Sequence, residues 1–217
     1  MKKRKYNHTR KLKAVVRTVI AAALLLLAVG ANFYGLLPSN GLRILEESYG
    51  TGKTEIITKT FEKAVFSEIY LTENENVLML AASRFSILGG WCDLGAAVAD
   101  KDPDAEASIE AGFWYVGNSD SGERIFYIFG KITDDAVTTV TARIADADRT
   151  VFQSAGTDEF TEKDGSRYFI IKMTEFSEVA VHGVIVEGFD QNSLLIYESE
   201  VDQGTWTGTS FSWLSDS

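Results

Sequence analysis

The chain has 217 residues, of which 45% are hydrophobic and 12% aromatic, with 21 Lys and Arg against 31 Asp and Glu. A single cysteine excludes an intramolecular disulfide, and only two prolines occur, so few positions prevent β-strands from pairing. The net charge of −10 opposes nucleic-acid binding, because a polyphosphate partner requires clustered Lys and Arg.

The first 37 residues have the charge pattern of a membrane-anchoring segment. Residues 1–17 contain eight Lys or Arg and no acidic residue, whereas residues 18–37 carry no charge. Basic residues beside an apolar segment resist translocation, and about 20 apolar residues span a bilayer as a helix. We therefore predict a basic cytoplasmic segment over 1–17 and a transmembrane signal-anchor helix over 18–37. A cleaved signal peptide that ends at Val29-Gly30-Ala31 is the alternative.

This orientation places the rest of the chain outside the cytoplasm. The predicted localisation is the cell membrane, single-pass, with a cytoplasmic N-terminus and an extracytoplasmic C-terminal domain. Beyond residue 17 the chain has 13 Lys and Arg against 31 Asp and Glu, a balance of −18. We therefore expect three features of its partners: the lipid bilayer is bound through the N-terminal helix, a basic or envelope protein partner is favoured, and nucleic acid is not bound.

Short β-type runs dominate the sequence after a stalk and linker predicted over 38–54, which includes a short helix at Leu42 to Glu47 and a flexible stretch at Gly50 to Thr54. Eleven runs separated by turn residues predict strands. They are Glu55 to Phe61, Ala64 to Leu71, Val77 to Ala82, Arg84 to Trp91, Gly112 to Val116, Arg124 to Ile132, Val137 to Ile144, Thr150 to Gln153, Arg167 to Met173, Val179 to Glu187 and Leu194 to Glu200. The pattern predicts an all-β fold, an antiparallel β-sandwich ectodomain over 55–202, followed by a C-terminal tail over 203–217.

Two strands show which faces are buried. Both faces of Arg124 to Ile132 are apolar, so this strand is predicted to be central in the domain. Val137 to Ile144 alternates apolar and polar residues, which is typical of a sheet with one solvated face. The polar insert Asp100 to Glu110 is predicted to separate two halves, about 55–115 and about 120–202.

Four segments of the C-terminal half carry a resemblance: Ile128 to Val137, Gly165 to Phe169, Val186 to Asp190 and Ile196 to Glu198. They resemble uncharacterised small membrane-anchored surface proteins of Gram-positive bacteria, in which G-x-I/V-x-D, G-x-(W/Y)-F and G-(Y/F)-D strands recur. Val77 to Trp91 is similar to the N-terminal half of that group. The resemblance covers roughly residues 65–200 and implies an immunoglobulin-like C-terminal half, with no known activity.

The acidic and Gly-rich motifs do not assign a site: no catalytic residue, cofactor-binding residue or metal ligand is predicted. The Gly-Lys-Thr of Gly50 to Thr54 has Glu47 where a phosphate-binding loop needs its first Gly. Asp100, Asp102, Asp104 and Glu106 alternate as in a calcium loop, but Ala105 and Ala111 replace the required Gly and Glu. A loose surface cation site there stays open beside a solvated acidic loop. Asp134, Asp135, Asp146 and Asp148 are predicted to be turn residues.

The remaining candidate residues have structural interpretations. Cys92 follows the apolar stretch Phe85 to Trp91 and is therefore predicted to be buried and structural. His182 is predicted to be an ordinary strand residue, since a zinc ligand or a general base needs partners. The tryptophans are predicted to pack in the core or at sheet edges rather than to line a sugar-binding surface: Trp91, Trp114, Trp206 and Trp213.

Two functions are consistent with these features. The first is a non-catalytic binding or interaction module tethered to the membrane, which is not an enzyme. The alternative is a cell-envelope hydrolase that uses a carboxylate pair, because 31 acidic residues leave such a pair open.

Overall fold

A computed structural model describes residues 13, 15–24, 38–62, 67–86, 90–101, 108–117, 124–145, 150–175 and 183–201. Two helices, α1 (15–24) and α2 (Pro38–Tyr49), precede the strands. The strands are β1 (Glu55–Glu62), β2 (Ser67–Glu73), β3 (Val77–Ser86), β4 (Gly90–Asp100), β5 (Ile109–Gly117), β6 (Arg124–Ile132), β7 (Thr139–Ala145), β8 (Val151–Thr157), β9 (Thr161–Lys163), β10 (Ser166–Glu175), β11 (Gly183–Phe189) and β12 (Leu195–Val201).

The strands form three antiparallel sheets of four strands each. Sheet A has the order β1-β2-β3-β4, sheet B the order β5-β6-β10-β9, and sheet C the order β12-β11-β7-β8. The prediction of an all-β, antiparallel domain is therefore confirmed. Sheet A ends at Asp100, and β5, most of which falls in the predicted half of about 55–115, pairs with β6 in sheet B.

Sheet B is the central layer, because one apolar cluster joins it to sheet A and another joins it to sheet C. Strand β6 supplies both clusters through simple alternation. Ile125, Tyr127 and Phe129 lie in the cluster shared with sheet A. Phe126, Ile128 and Ile132 lie in the cluster shared with sheet C. The predicted central position of this strand is thus confirmed.

Sheet C is buried on one side only. Val140, Ala142 and Ile144 of β7 are fully buried against sheet B, whereas Thr141 and Arg143 on the other face are half-buried. The alternation in β7 predicted this arrangement.

Two strand predictions were wrong in detail. The predicted strand Arg84 to Trp91 crosses a hairpin: β3 continues to Ser86, and β4 starts at Gly90, where φ is 72°. Most of β4 was not predicted, because its Gly and Ala residues have weak β-propensity. The three-residue strand β9, which a tight turn joins to β10, was also missed. There Asp164 and Gly165 both have positive φ, as a tight hairpin turn requires.

Helix α2 is longer than the predicted stalk helix and packs against the outer face of sheet A. Leu42 and Leu45 are buried against Met79 and Ala96. The segment after the helix, predicted as a flexible linker, is also held: the backbone N–H and the hydroxyl of Thr54 both donate to Glu46 Oε1, at 2.6 and 2.7 Å. Residues 38–54 therefore belong to the packed domain. The stalk interpretation fails because amphipathic periodicity alone does not show what a helix packs on.

The structure describes only part of the N-terminal segment that was predicted to anchor the chain. No helix among the described residues is long and apolar enough to cross a membrane. The described part of the predicted anchor is residues 18–24 of α1, which are all exposed, and residues 25–37 lie outside the described ranges. The first part of the strand predicted at Val179 to Glu187 and the tail 203–217 also lie outside them.

Candidate functional site

The structure describes only some of the acidic residues that the sequence analysis considered as site candidates. Asp100 ends β4, while Asp102 to Glu106, Asp146, Asp148 and His182 lie outside the described residues. Asp134 is a turn residue, as predicted, because its Oδ1 accepts the N–H of Ala136 at 2.8 Å. Within the described ranges, no group of three His, Cys, Asp or Glu side chains is placed to hold a metal ion.

The cysteine and the tryptophans lie in different environments. Cys92 is half-buried and its thiol donates weakly to Gly90 O at 3.5 Å, so the prediction of a buried cysteine was wrong. Trp114 is a core residue stacked on Tyr127, with ring centroids 5.7 Å apart. Trp91 is half-buried at the start of β4, and Trp206 and Trp213 lie outside the described residues.

The carboxylate of Glu73, at the end of β2 beside sheet B, contacts three side chains. Its Oε1 accepts the hydroxyl of Tyr168 at 2.5 Å. Its Oε2 accepts Lys101 Nζ at 2.7 Å and lies 3.4 Å from Lys131 Nζ. Because Tyr168 and Lys131 belong to sheet B, this carboxylate ties one end of sheet A to the central layer.

A second carboxylate makes the same kind of contact at the other end of sheet A. Glu62, the last residue of β1, accepts the hydroxyl of Tyr127 at 3.1 Å and Lys172 Nζ at 2.6 Å. In the register of β6 and β10, Tyr127 pairs with Lys172 and Lys131 with Tyr168. Each carboxylate thus meets one cross-strand Tyr–Lys pair.

The sequence contains a signal for this arrangement, although none of the sequence predictions used it. The pattern Tyr-x-apolar-x-Lys occurs at residues 127–131 and again at 168–172. Residues two apart share a face of a strand, so antiparallel pairing of two such segments places each Tyr opposite a Lys.

The pKa shifts show what these carboxylate contacts can do. Burial, and then the hydrogen bond to Glu73, raises the pKa of Tyr168; burial and Glu62 raise the pKa of Tyr127. Burial alone would raise the pKa of Glu73, but hydrogen bonds from Lys101 and Tyr168 outweigh it and lower that pKa. The phenols stay protonated as donors and Glu73 stays ionised as an acceptor. Such groups suit the joining of two sheets, whereas proton transfer at neutral pH needs a pKa near 7.

We expect Glu73→Gln to lower the free energy of unfolding at pH 7 by about 1.5 to 3 kcal/mol, the usual value of hydrogen bonds to a charged group. Because the pKa of Glu73 is lowered in the folded state, its stabilising effect is complete above the unfolded-state pKa and is lost as pH falls through the folded-state pKa. The difference between the native chain and the variant should therefore shrink below about pH 4. Urea unfolding of both chains at several pH values measures this difference in the free energy of unfolding.

Glu162→Gln is the matched control, because Glu162 is exposed on β9. An equal loss of stability in both variants at pH 7 would contradict the assignment of Glu73 as the joint between sheets A and B.

A groove of about 590 Å³ lies between α2 and the start of β1. Leu42 and Ile56 are among its apolar wall residues, and Arg43 and Lys53 lie at it too. Its one buried carboxylate, Glu46, already accepts two hydrogen bonds from Thr54 on Oε1. The groove thus presents apolar walls and no pair of converging reactive groups.

The outer face of sheet C is the clearest candidate binding surface. Arg143 lies between two carboxylates there, with its Nη2 2.7 Å from Glu187 Oε1 and 3.2 Å from Glu198 Oε2. The adjoining start of β12 exposes the apolar side chains of residues 194–196, and Leu194 is 63% exposed. The surface combines excess negative charge with exposed apolar area, and we call it the sheet C face.

Comparison of the chain with models of known protein families, with curated proteins and with solved structures gives no match in any of the three.

Proposed function

We propose that the chain is a single-pass membrane protein whose extracytoplasmic β domain works by binding and not by catalysis. The observation that supports a membrane anchor is the composition and exposure of helix α1. From Thr18 to Leu24 the helix carries no charge, and its large apolar side chains, Val19, Ile20 and Leu24, are exposed. An uncharged helical segment with large apolar side chains belongs in a protein core or in a membrane.

Sequence and charge extend this argument beyond the described helix. The uncharged stretch continues to Leu37, which gives a length that suits a bilayer, and the eight basic residues precede it. Basic residues stay on the cytoplasmic side, so the β domain is exported. The localisation we propose is therefore the cell membrane, with the N-terminus cytoplasmic and the domain extracytoplasmic.

Strand order supports an immunoglobulin-like sandwich for sheets B and C. If β5 to β12 are named A, B, C, C′, D, E, F and G, sheet B reads A-B-E-D and sheet C reads G-F-C-C′. An immunoglobulin domain has strands A, B, E and D in one sheet and G, F and C in the other, with C′ added beside C in the variable type. This agrees with the resemblance to membrane-anchored surface proteins of Gram-positive bacteria and supports a binding role on the cell surface.

The sheet C face indicates the kind of partner. Two carboxylates flank a single Arg there, and the domain beyond residue 17 has a balance of −18. A field of this sign accelerates encounter with a basic partner, and the exposed residues 194–196 supply apolar contact area. We therefore propose a basic envelope protein as the partner of this face.

The partner is tested with Glu198→Lys, which reverses one charge on the sheet C face, against Glu162→Lys on sheet B as the matched control. Both side chains are exposed, so both variants should fold. We expect only Glu198→Lys to weaken association of the full chain with basic envelope proteins, measured by chemical cross-linking in membranes. Equal cross-linking in both variants would contradict the sheet C face as the binding surface.

A separate assay tests the absence of catalysis. The purified full chain in detergent is expected to give no turnover of cell-wall polymer or of ester, peptide and glycoside substrates, because in the described residues no three His, Cys, Asp or Glu side chains converge on one point. Turnover that disappears when one Asp or Glu is changed to its amide would establish the carboxylate hydrolase instead.

A further inference from the structure

One end of sheet A combines exposed aromatic side chains with the start of helix α2. At this end β1 and β3 finish and β2 and β4 begin, since Glu62 pairs with Ser67 and Ser86 with Gly90. We call it the hairpin end of sheet A. The opposite end carries the turn from β2 to β3.

Helix α2 runs along sheet A from the hairpin end to the opposite end. Near its start, a Cβ added to Gly41 would lie only 2.6 Å from the Cβ of Ser83. Just after its last turn, Thr51 O accepts Asn74 Nδ2 at 2.8 Å, beside the turn between β2 and β3. The first residue of the helix, Pro38, is therefore at the hairpin end.

Three aromatic side chains occupy the same end. Phe61 and Phe85 are 48% and 49% exposed. Phe85 pairs with Trp91 across β3 and β4, and their rings are in edge contact with centroids 5.8 Å apart. Phe85 lies two residues beyond Ser83, or about 7 Å, on the same face of the strand. Pro38 lies three residues before Gly41, or about 4.5 Å along the helix. The aromatic pair and the start of α2 thus extend by similar distances toward the hairpin end of sheet A.

We propose that Phe61, Phe85 and Trp91 contact the outer surface of the bilayer that holds the N-terminal anchor, so that the domain rests on the membrane by the hairpin end of sheet A. This inference depends on the proposed anchor. The predicted membrane segment ends at Leu37, directly before Pro38, and leaves no spacer between a membrane helix and α2.

The chemistry of the three side chains fits a bilayer surface. Aromatic rings favour the headgroup region, where an apolar ring meets a polar boundary. The chain beyond residue 17 has a balance of −18, which opposes anionic lipid, so the proposed contact is aromatic and suits a zwitterionic surface. Ile87 and Leu88 lie outside the described residues and are not part of this site.

The experiment uses the full chain with Cys92→Ala and one new cysteine, reconstituted into phosphatidylcholine vesicles. The cysteine is placed by Phe85→Cys or Phe61→Cys and carries an environment-sensitive fluorophore. Asp135→Cys is the control: its exposed turn follows β6 at the Lys131 end, which contacts Glu73 at the opposite end of sheet A. Nitroxide-labelled lipid then reports contact with the bilayer.

We expect blue-shifted emission and a loss of emission on adding nitroxide lipid for labels at 85 and 61, with neither change at 135. Equal responses at 85, 61 and 135 in chains that float with the vesicles would overturn the contact and leave the anchor intact. Chains that fail to float with the vesicles would overturn the anchor, and the contact with it.

Discussion

Phe129→Ala is expected to lower the free energy of unfolding by about 3 to 5 kcal/mol, the usual cost of truncating a fully buried phenylalanine. The side chain lies in the middle of β6 and faces the cluster between sheets A and B. Its ring also fills the space beside Gly112, where an added Cβ would lie 2.6 Å from the Phe129 Cζ. The neighbouring backbone cannot close the space that truncation opens. Urea unfolding followed by tryptophan fluorescence measures the loss.

The matched control is Phe61→Ala, which removes the same side chain from an exposed position on the edge strand β1. We expect this variant to lose less than about 1 kcal/mol. A similar loss in the two variants would contradict the placement of sheet B as a layer buried on both faces.

Gly130→Ala is expected to destabilise the domain by about 1 to 3 kcal/mol. Because it adds a methyl group, whereas Phe129→Ala removes a ring, it is an independent test of the packing. A Cβ at residue 130 would lie 2.4 Å from two ring atoms of Phe169 and 2.6 Å from the backbone oxygen of Glu110. The ring is fully buried and the oxygen belongs to the neighbouring strand, so neither can move away cheaply. Thermal and urea unfolding measure the change.

Gly183→Ala provides the comparison for this variant. The atom that a Cβ would meet first at residue 183 is Oε1 of Glu200, at 3.0 Å, the end of a flexible side chain. We expect only a small change in stability. If Gly183→Ala cost as much as Gly130→Ala, the close approach of β6, β10 and β5 around residue 130 would be wrong.

The sequence predicted the burial of individual strands better than their partners. The alternation in β6 and β7 identified the central strand and the sheet with one solvated face, because the side-chain period of a strand is a local property. It did not show that β6 pairs with β10, which is distant along the chain. Without that pairing, the Tyr-x-apolar-x-Lys pattern at 127–131 and 168–172 looks like ordinary strand residues.

The packing of α2 and the sheet C face escaped prediction for a similar reason. The periodicity of Leu42 and Leu45 shows an apolar side of a helix but not the Met79 and Ala96 that it covers. The run from residue 194 to 196 has the composition of a buried strand. Its side chains are exposed because β12 is an edge strand of sheet C that starts at a turn, which only the assembled sheet reveals.

The orientation of the chain across the membrane is the central claim, and site-directed cysteine labelling tests it most directly. In chains with Cys92→Ala, a single cysteine is placed at the exposed position 135 of the β domain by Asp135→Cys, or before the apolar stretch by Lys13→Cys. A membrane-impermeant maleimide is then added to intact bacterial cells that produce the chain. We predict labelling at 135 in intact cells and labelling at 13 only after the membrane is permeabilised. Labelling at 135 only after permeabilisation would contradict this orientation.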